Sequence, residues 1–355
     1  MPITSDASRP LFRHSDAVEG GLAAEIVAAE AVLRGPARDA WFDRLDAESE
    51  ILEAALRSAL EHDQEQGLSL GGAVWPYWLA RGKVKAGRDW LGRLLEASEW
   101  GERTEARAKA LYGAGTLAFI QGDREPSLRL HTESLAIARE HRNLQLEADA
   151  LIGLARVSLL DGNAMVMQQH AQASLEAARA VGDQQRVATA LHHVVEAVRR
   201  QGLYDEALPL YNESLEAHRA LGDDRGVALE LHNLGNVARL TGDLATADSR
   251  LRESLQLAAR LKSARLVGYC LLAMAHLARE RSDWTTAARL LGASAAAFET
   301  SGGALDPDYV DDREKTLAAA KAALGDESFE AELTAGGKLD QDTAVREALA
   351  SDPPA

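Results

Sequence analysis

Apolar and small residues recur along this chain on two nested periods. Leu111, Leu151, Leu191, Leu231 and Leu271 form one column at intervals of forty, and Gly115, Ala155, Val195, Gly235 and Ala275 follow four residues behind it. A spacing of four places both columns on one face of a helix. The large residues of the first column predict a core, and the small residues of the second predict a close approach between two helices. Gly82, Gly122, Gly162, Gly202 and Gly242 keep the same interval and Ser282 continues it, each followed by polar residues as in QGDREPS and TGDLATA. A helix that stops on a left-handed glycine and restarts a residue or two later reads this way. A second series lies halfway between, with Gly182, Gly222 and Gly302, and with Arg142 and Lys262 in equivalent places. Each unit therefore holds two helices. On the second helix Ala207, Ala247 and Ala287 stay small, and Ser134, Ser174, Ser214, Ser254 and Ser294 form an unbroken column. A small hydroxyl there is expected to bond the carbonyl four residues back and to behave almost as alanine.

LHNLGNVARLTGDLATADSRLRESL, residues 231–255, resembles the tetratricopeptide repeat nearly position for position, and so does LHHVVEAVRRQGLYDEALPLYNESL, residues 191–215. The forty-residue unit exceeds the usual 34 by six, which implies helices longer by close to a turn. Residues 34–61 look like the segment that introduces the repeat arm of large bacterial signal-transduction ATPases and of LuxR-type or adenylate-cyclase-linked regulators. Residues 75–96 look like the first repeat of that arm, and residues 288–350 resemble its closing helices, one long and two short. The resemblance implies an all-α, tetratricopeptide-like α-solenoid, a right-handed superhelix of antiparallel helical hairpins. Its expected parts are a flexible terminus over 1–17, introductory helices over 18–69 (one or two near 18–64), six repeats over 70–302 and a helical cap over 303–355. In such proteins the arm senses an effector or a partner protein, while other domains bind ATP and DNA. No G-x-x-x-x-G-K-[ST] loop occurs here to cradle phosphates, nor a basic recognition helix.

Composition agrees with helices: aromatics are only 5%, and Ala and Leu, which lose little on entering a helix, dominate. The formal charge of −16, from 39 basic and 55 acidic residues, argues against direct contact with nucleic acid. The single cysteine, Cys270, lies in an apolar run and is expected as a buried thiol in a reducing compartment. The first twenty residues hold no apolar signal region and no stretch reaches eighteen apolar residues, so no membrane contact is expected and the cytoplasm is the expected location.

In tetratricopeptide arrays the first helix of each hairpin lines the concave groove. Aligned columns there read Tyr112, Ile152, His192, His232, Leu272; then Thr116, Arg156, Glu196, Asn236, His276; then Phe119, Leu159, Arg199, Arg239, Arg279. A ladder of guanidiniums suits carboxylate or phosphate, which they grip in two-pronged geometry. The candidate ligand groove is thus Arg156, His192, Glu196, Arg199, His232, Asn236, Arg239, His276 and Arg279, with few internal pairs among them. A plainly solvated face is the competing reading. Arginines roughly 10 Å apart repel by only about 0.4 kcal/mol in water, and Glu196 is spaced to pair with Arg199 or Arg200. His192, His193, His232 and His276 lack the spacing of a zinc site, and the pairing of His192 and His193 with Glu196 lacks a nucleophile and an oxyanion site. No metal or cofactor is expected. Asp306, Asp308, Asp311, Asp312 and Glu314 lack calcium-loop spacing and are expected to cap a helix, and Trp75, Trp78 and Trp90 are expected in the core. The expectation is a non-catalytic regulatory module that accepts a peptide, protein segment or small anionic effector in its groove. The alternative is a scaffold that docks an ATPase or regulator through convex or end surfaces.

Overall fold

The computed structural model describes residues 16–350 apart from 36, 99–102, 302–304 and 306, with backbone only at 16–20, 22, 307 and 308. The expected flexible segment over 1–17 lies outside the described residues except for its last two positions, and Gly302 lies outside them too. Every element described is helical. Two compact units divide the chain, Met1–Gln201 and Gly202–Ala355.

The first unit opens with α1 (Asp16–Ala28), α2 (Glu30–Arg34), α3 (Asp39–Ala47) and α4 (Ser49–His62). Four helices thus stand where one or two were expected. The chain breaks at Ala29 and Glu48, whose φ/ψ values of −88/5 and −111/24 leave the helical region without a glycine or proline to announce it. Hairpins α5 (Gln64–Ala80)/α6 (Val84–Ala97), α7 (Glu105–Ile120)/α8 (Arg124–Glu140) and α9 (Leu144–Leu160)/α10 (Ala164–Ala180) follow, then α11 (Gln184–Arg200). Helix α5 begins ahead of Leu70 because the Asp63 carboxylate caps it, accepting from the Gln66 amide at 3.0 Å. The second unit runs from α12 (Tyr204–Ala220) through hairpins α13 (Asp224–Leu240)/α14 (Leu244–Arg260) and α15 (Ala264–Glu280)/α16 (Trp284–Ser301). It closes with α17 (Pro307–Leu324), α18 (Asp326–Gly337) and α19 (Gln341–Ala350).

The stops between helices are those the glycine series predicts. Gly82, Gly122, Gly162, Gly182, Gly202, Gly222 and Gly242 all have positive φ, and so do Arg142 (54°), Lys262 (51°) and Ser282 (58°) in the equivalent places. At one such stop the Gly122 amide donates to Phe119 O at 2.9 Å and the Asp123 amide to Ala118 O at 3.0 Å, closing the helix end on itself. Starts are equally local: Asn163 accepts from the Val166 amide at 3.1 Å and Asp183 from the Arg186 amide at 3.0 Å. A side chain in the left-handed region costs about 1–2 kcal/mol, partly offset by the greater freedom of glycine in the unfolded chain. Ser282→Gly is therefore expected to stabilise unit 2 by about 0.5–1 kcal/mol. Gly242→Ser should do the reverse, both read as shifts in the urea midpoint. Equal midpoints would mean that the left-handed stop carries no strain.

The serine column bonds differently from the expectation. Ser134 donates to Ala108 O (2.8 Å), Ser174 to Ala148 O (2.8 Å), Ser254 to Ala228 O (2.6 Å) and Ser294 to Gly268 O (2.8 Å), each on the facing helix of the hairpin. Alanine or glycine at the acceptor position brings the two backbones close enough for the hydroxyl to reach the second lone pair of a carbonyl already used in its own helix. Ser214 donates instead to the fully buried Glu230 at 2.7 Å. Cys270 is buried as expected, its thiol pushed up to about 12 by burial, with the Ser254 hydroxyl 3.2 Å away. Trp75 and Trp78 are core residues and Trp90 packs partly buried against the same core.

Candidate binding face

The first helices of the two units place the sequence-selected side chains on faces that are already engaged. In unit 2, His232, Asn236 and Arg239 lie on successive turns of α13, and His276 and Arg279 on α15. The Asp312 carboxylate, on the second turn of α17, sits among them. Arg239 donates to its Oδ2 at 2.6 Å and Arg279 to its Oδ1 at 2.7 Å, while His276 Nδ1 stands 3.2 Å from Oδ2. Arg279 also donates to Thr316 Oγ1 at 2.9 Å, and Glu280 pairs with both arginines at 2.7 and 3.3 Å. Asn236 bonds His232 Nε2 at 2.9 Å, and the Tyr309 ring of α17 stands 5.1 Å from that of Tyr269 and 6.1 Å from that of His232. Burial alone would raise the Asp312 carboxyl, but His276, Arg239 and Arg279 outweigh it and hold it below the usual range. Burial drives His276 the other way, well below an ordinary histidine, so it stays neutral and its Nδ1–H serves as a donor.

The expected scarcity of internal pairs therefore fails in unit 2, because Asp312, outside the repeat period, and Glu280, at the end of α15 itself, supply them. The acidic cluster does not act purely as a helix cap either. Asp312 is spent on the arginines, Asp311 pairs with Lys315 at 2.6 Å in solvent, and Glu314 pairs with Arg313 at 2.9 Å. Asp306 and the Asp308 side chain lie outside the described residues.

In unit 1 the same columns meet different partners. Arg156 Nε donates to His193 Nε2 at 3.3 Å, and His193 Nδ1 bonds Thr189 O at 2.9 Å, which leaves the ring neutral. Burial, Arg156 and His192 together hold it there. His192 stands edge-on to His193 at 5.2 Å. Glu196 accepts from Arg199 Nε at 3.0 Å and from Arg200 Nε at 2.9 Å along its own helix. Burial would raise this carboxyl, yet the two arginines bring it down to about 2. His193 and Glu196 are thus committed to hydrogen bonds and ion pairs.

A family model described as tetratricopeptide repeat matches residues 146–220 and 186–260. No curated protein matches the chain in sequence. Among solved structures the chain is similar to a Rap protein complexed with competence and sporulation factor, at 12% identity and a TM-score of 0.62, over 92% of this chain and 90% of that one. It is also similar to the apo form of the quorum sensor NprR from B. thuringiensis, at 18% identity and a TM-score of 0.58, over 94% and 93%. NprR in complex with its cognate peptide NprX gives 17% identity and a TM-score of 0.54, over 96% and 91%. The fold is all-α and tetratricopeptide-like.

A column one turn earlier on the first helices, through Lys109, Asp149 and Tyr269, escaped the sequence reading and carries much of the face. Asp149 accepts from Arg34 of α2 at 2.6 Å and from Arg186 of α11 at 2.8 and 3.0 Å, and Lys109 pairs with Glu30 of α2 at 2.7 Å. The Arg34 guanidinium lies 6.0 Å from the Trp75 ring centroid and 5.6 Å from that of Tyr112. Burial would raise the Asp149 carboxyl, but the two arginines keep it low. The column obeys the forty-residue period and was there to be found. Two of its partners, Glu30 and Arg34 of α2, lie outside that period.

Proposed function

We propose that this chain is a non-catalytic regulatory module that takes a peptide or protein segment on the first-helix face of its repeats. The observation that carries the reading is the convergence of Arg239, Arg279 and His276, from two successive first helices, on one carboxylate. A repeat face with one buried and one half-buried guanidinium aimed at a carboxylate is suited to recognise acidic groups on an extended chain. The likeness to structures described as a Rap protein with its factor and NprR with its peptide supports the peptide over other ligands. A small anionic effector would meet the same groups. The resemblance of residues 34–61 and 75–96 to the sensor arm of bacterial signalling ATPases and LuxR-type regulators supports a role in cytoplasmic signalling, exerted on a partner and not by catalysis.

Selection of a displayed random-heptapeptide library on the immobilised chain tests this. Enriched peptides should carry acidic residues or depend on their terminal carboxylate, bind the free chain in calorimetry, and lose at least tenfold in affinity on Arg279→Gln. Enrichment of nothing that binds in solution, or binding indifferent to Arg279→Gln, would sink the reading.

A further inference from the structure

Helix α17, which covers the cationic face of unit 2, is held by two different kinds of force along its length. Its later half is held by apolar contact: Leu317, Ala320 and Leu324 pack with Trp284, Ala288, Phe329 and Leu333. Its earlier half is held mainly by polar contact, through Asp312 on Arg239, Arg279 and His276 and through Thr316 on Arg279, with one aromatic contact, the Tyr309 ring against those of Tyr269 and His232. Val310 is 43% exposed, and Asp311 and Lys315 face solvent. An ion pair withdrawn from water gains little net free energy once its desolvation is counted, so apart from the single Tyr309 ring the earlier half is weakly attached compared with the later one. A ligand carboxylate of the same geometry recovers the same interactions.

The seat also holds more polar capacity than Asp312 uses. Arg239 Nε and His276 Nε2 are buried with no hydrogen-bond partner, on side chains 5% and 1% exposed. A buried donor or acceptor left unmatched is costly, and a single aspartate carboxylate cannot reach both atoms along with those it already serves. A peptide carboxylate with its neighbouring backbone groups offers the additional acceptor and donor.

We propose that Asp312 is an internal occupant of a carboxylate seat made by Arg239, Arg279 and His276. An acidic side chain or free C-terminal carboxylate of a peptide takes that seat as the first two turns of α17 withdraw. The inference rests on the peptide-binding reading and adds the ligand's chemistry and the competition that controls access. Because the seat is open only in the fraction of molecules whose α17 has withdrawn, apparent affinity is reduced by that fraction.

The test uses full-length protein and fluorescein-labelled pentaglutamate, read by fluorescence anisotropy at low ionic strength. Asp312→Asn should bind the probe at least tenfold more tightly than the unaltered chain, and Arg279→Gln in the Asp312→Asn background should remove the gain. Asp311→Asn makes the same change of charge on the exposed side of α17 and should leave affinity unchanged. A gain shared by Asp311→Asn, or one that survives Arg279→Gln, would show bulk charge at work and overturn the proposal, as would no gain at all. Hydrogen exchange on the unaltered chain provides a readout that needs no variant: the probe should speed exchange of amides 312–316 while those of 318–324 stay protected, and uniform protection would count against withdrawal. Library peptides that need Arg279 but bind Asp312→Asn and the unaltered chain alike would leave the peptide reading standing and remove this inference alone.

Discussion

Gly153→Ala is expected to destabilise unit 1 by about 3 kcal/mol, the upper end of what overpacking costs. Helix α9 passes the His131 ring of α8 so closely that a Cβ on Gly153 would fall well inside contact with Nδ1, Cε1 and Cγ of that ring. The ring has no room to retreat. On its other side Gly115 of α7 already lacks a Cβ, which would lie 2.8 Å from Cε1 and Nε2, and the Tyr112 ring stands 5.5 Å away. A flexible side chain would swing aside, whereas a fully buried imidazole wedged between two helices must push them apart. His131→Ala removes the wedge. In that background Gly153→Ala should cost less than about 1 kcal/mol, since alanine is also the better helix former by about that amount. The coupling energy should then be at least about 2 kcal/mol, within the range for residues in contact. Urea unfolding followed by tryptophan fluorescence reads this well, because Trp41, Trp75, Trp78 and Trp90 lie in unit 1. Additive costs would mean that something other than the His131 ring sets the spacing of α8 and α9.

What the sequence made legible, and what it hid, divides along the line between repeated and unrepeated structure. A forty-residue period fixes the same backbone geometry at each return, so Arg142, Lys262 and Ser282 were placed in left-handed stops by alignment alone, with no glycine to mark them. The same alignment picked His232, Asn236, Arg239, His276 and Arg279 for one face, and in unit 2 they do come together. Their condition was not legible. Arg34 and Asp312 belong to helices outside the period, and each acts over a long sequence separation: Arg34 meets Asp149, and Asp312 meets Arg239. No local propensity encodes such a meeting. The serine partners were missed for a related reason: periodicity gives the column a residue occupies but not which neighbouring carbonyl its hydroxyl reaches. His131 stood in a column otherwise filled by Ala171, Tyr211, Leu251 and Leu291, and the glycines opposite it, Gly115 and Gly153, were the available signal.

The buried histidines predict acid sensitivity that begins well above the carboxylate range. Burial, with help from Arg156, pushes His131 down to about 3; the Gly115 backbone opposes the shift, yet neither ring nitrogen has a hydrogen-bond partner of good geometry. His193 in unit 1 and His276 in unit 2 are lowered as well, first of all by burial. In each case the unfolded chain takes up a proton near pH 6.5 that the folded chain refuses. Unfolding therefore binds protons between pH 6.5 and the lowered value, and stability falls as the pH falls through that window. One such histidine costs about 1.4 kcal/mol at pH 5.5 relative to pH 7.5 or above, so His131 and His193 together should take about 3 kcal/mol from unit 1. Asp149, Glu196 and Asp312, whose carboxyls are held low by arginines, add their loss only below about pH 4.5. His131→Leu isolates one share of this. Leucine already fills the equivalent place at Leu251, where it faces Gly235, and it removes two ring nitrogens that lack good partners, so stability at pH 7.5 should be unchanged or higher. The loss between pH 7.5 and 5.5 should shrink by about 1.4 kcal/mol, one histidine's worth, in urea midpoints measured at the two pH values. An unaltered pH dependence in His131→Leu would mean that the folded chain protonates His131 as readily as the unfolded one, and that the packing of α8 against α7 and α9 admits a charge.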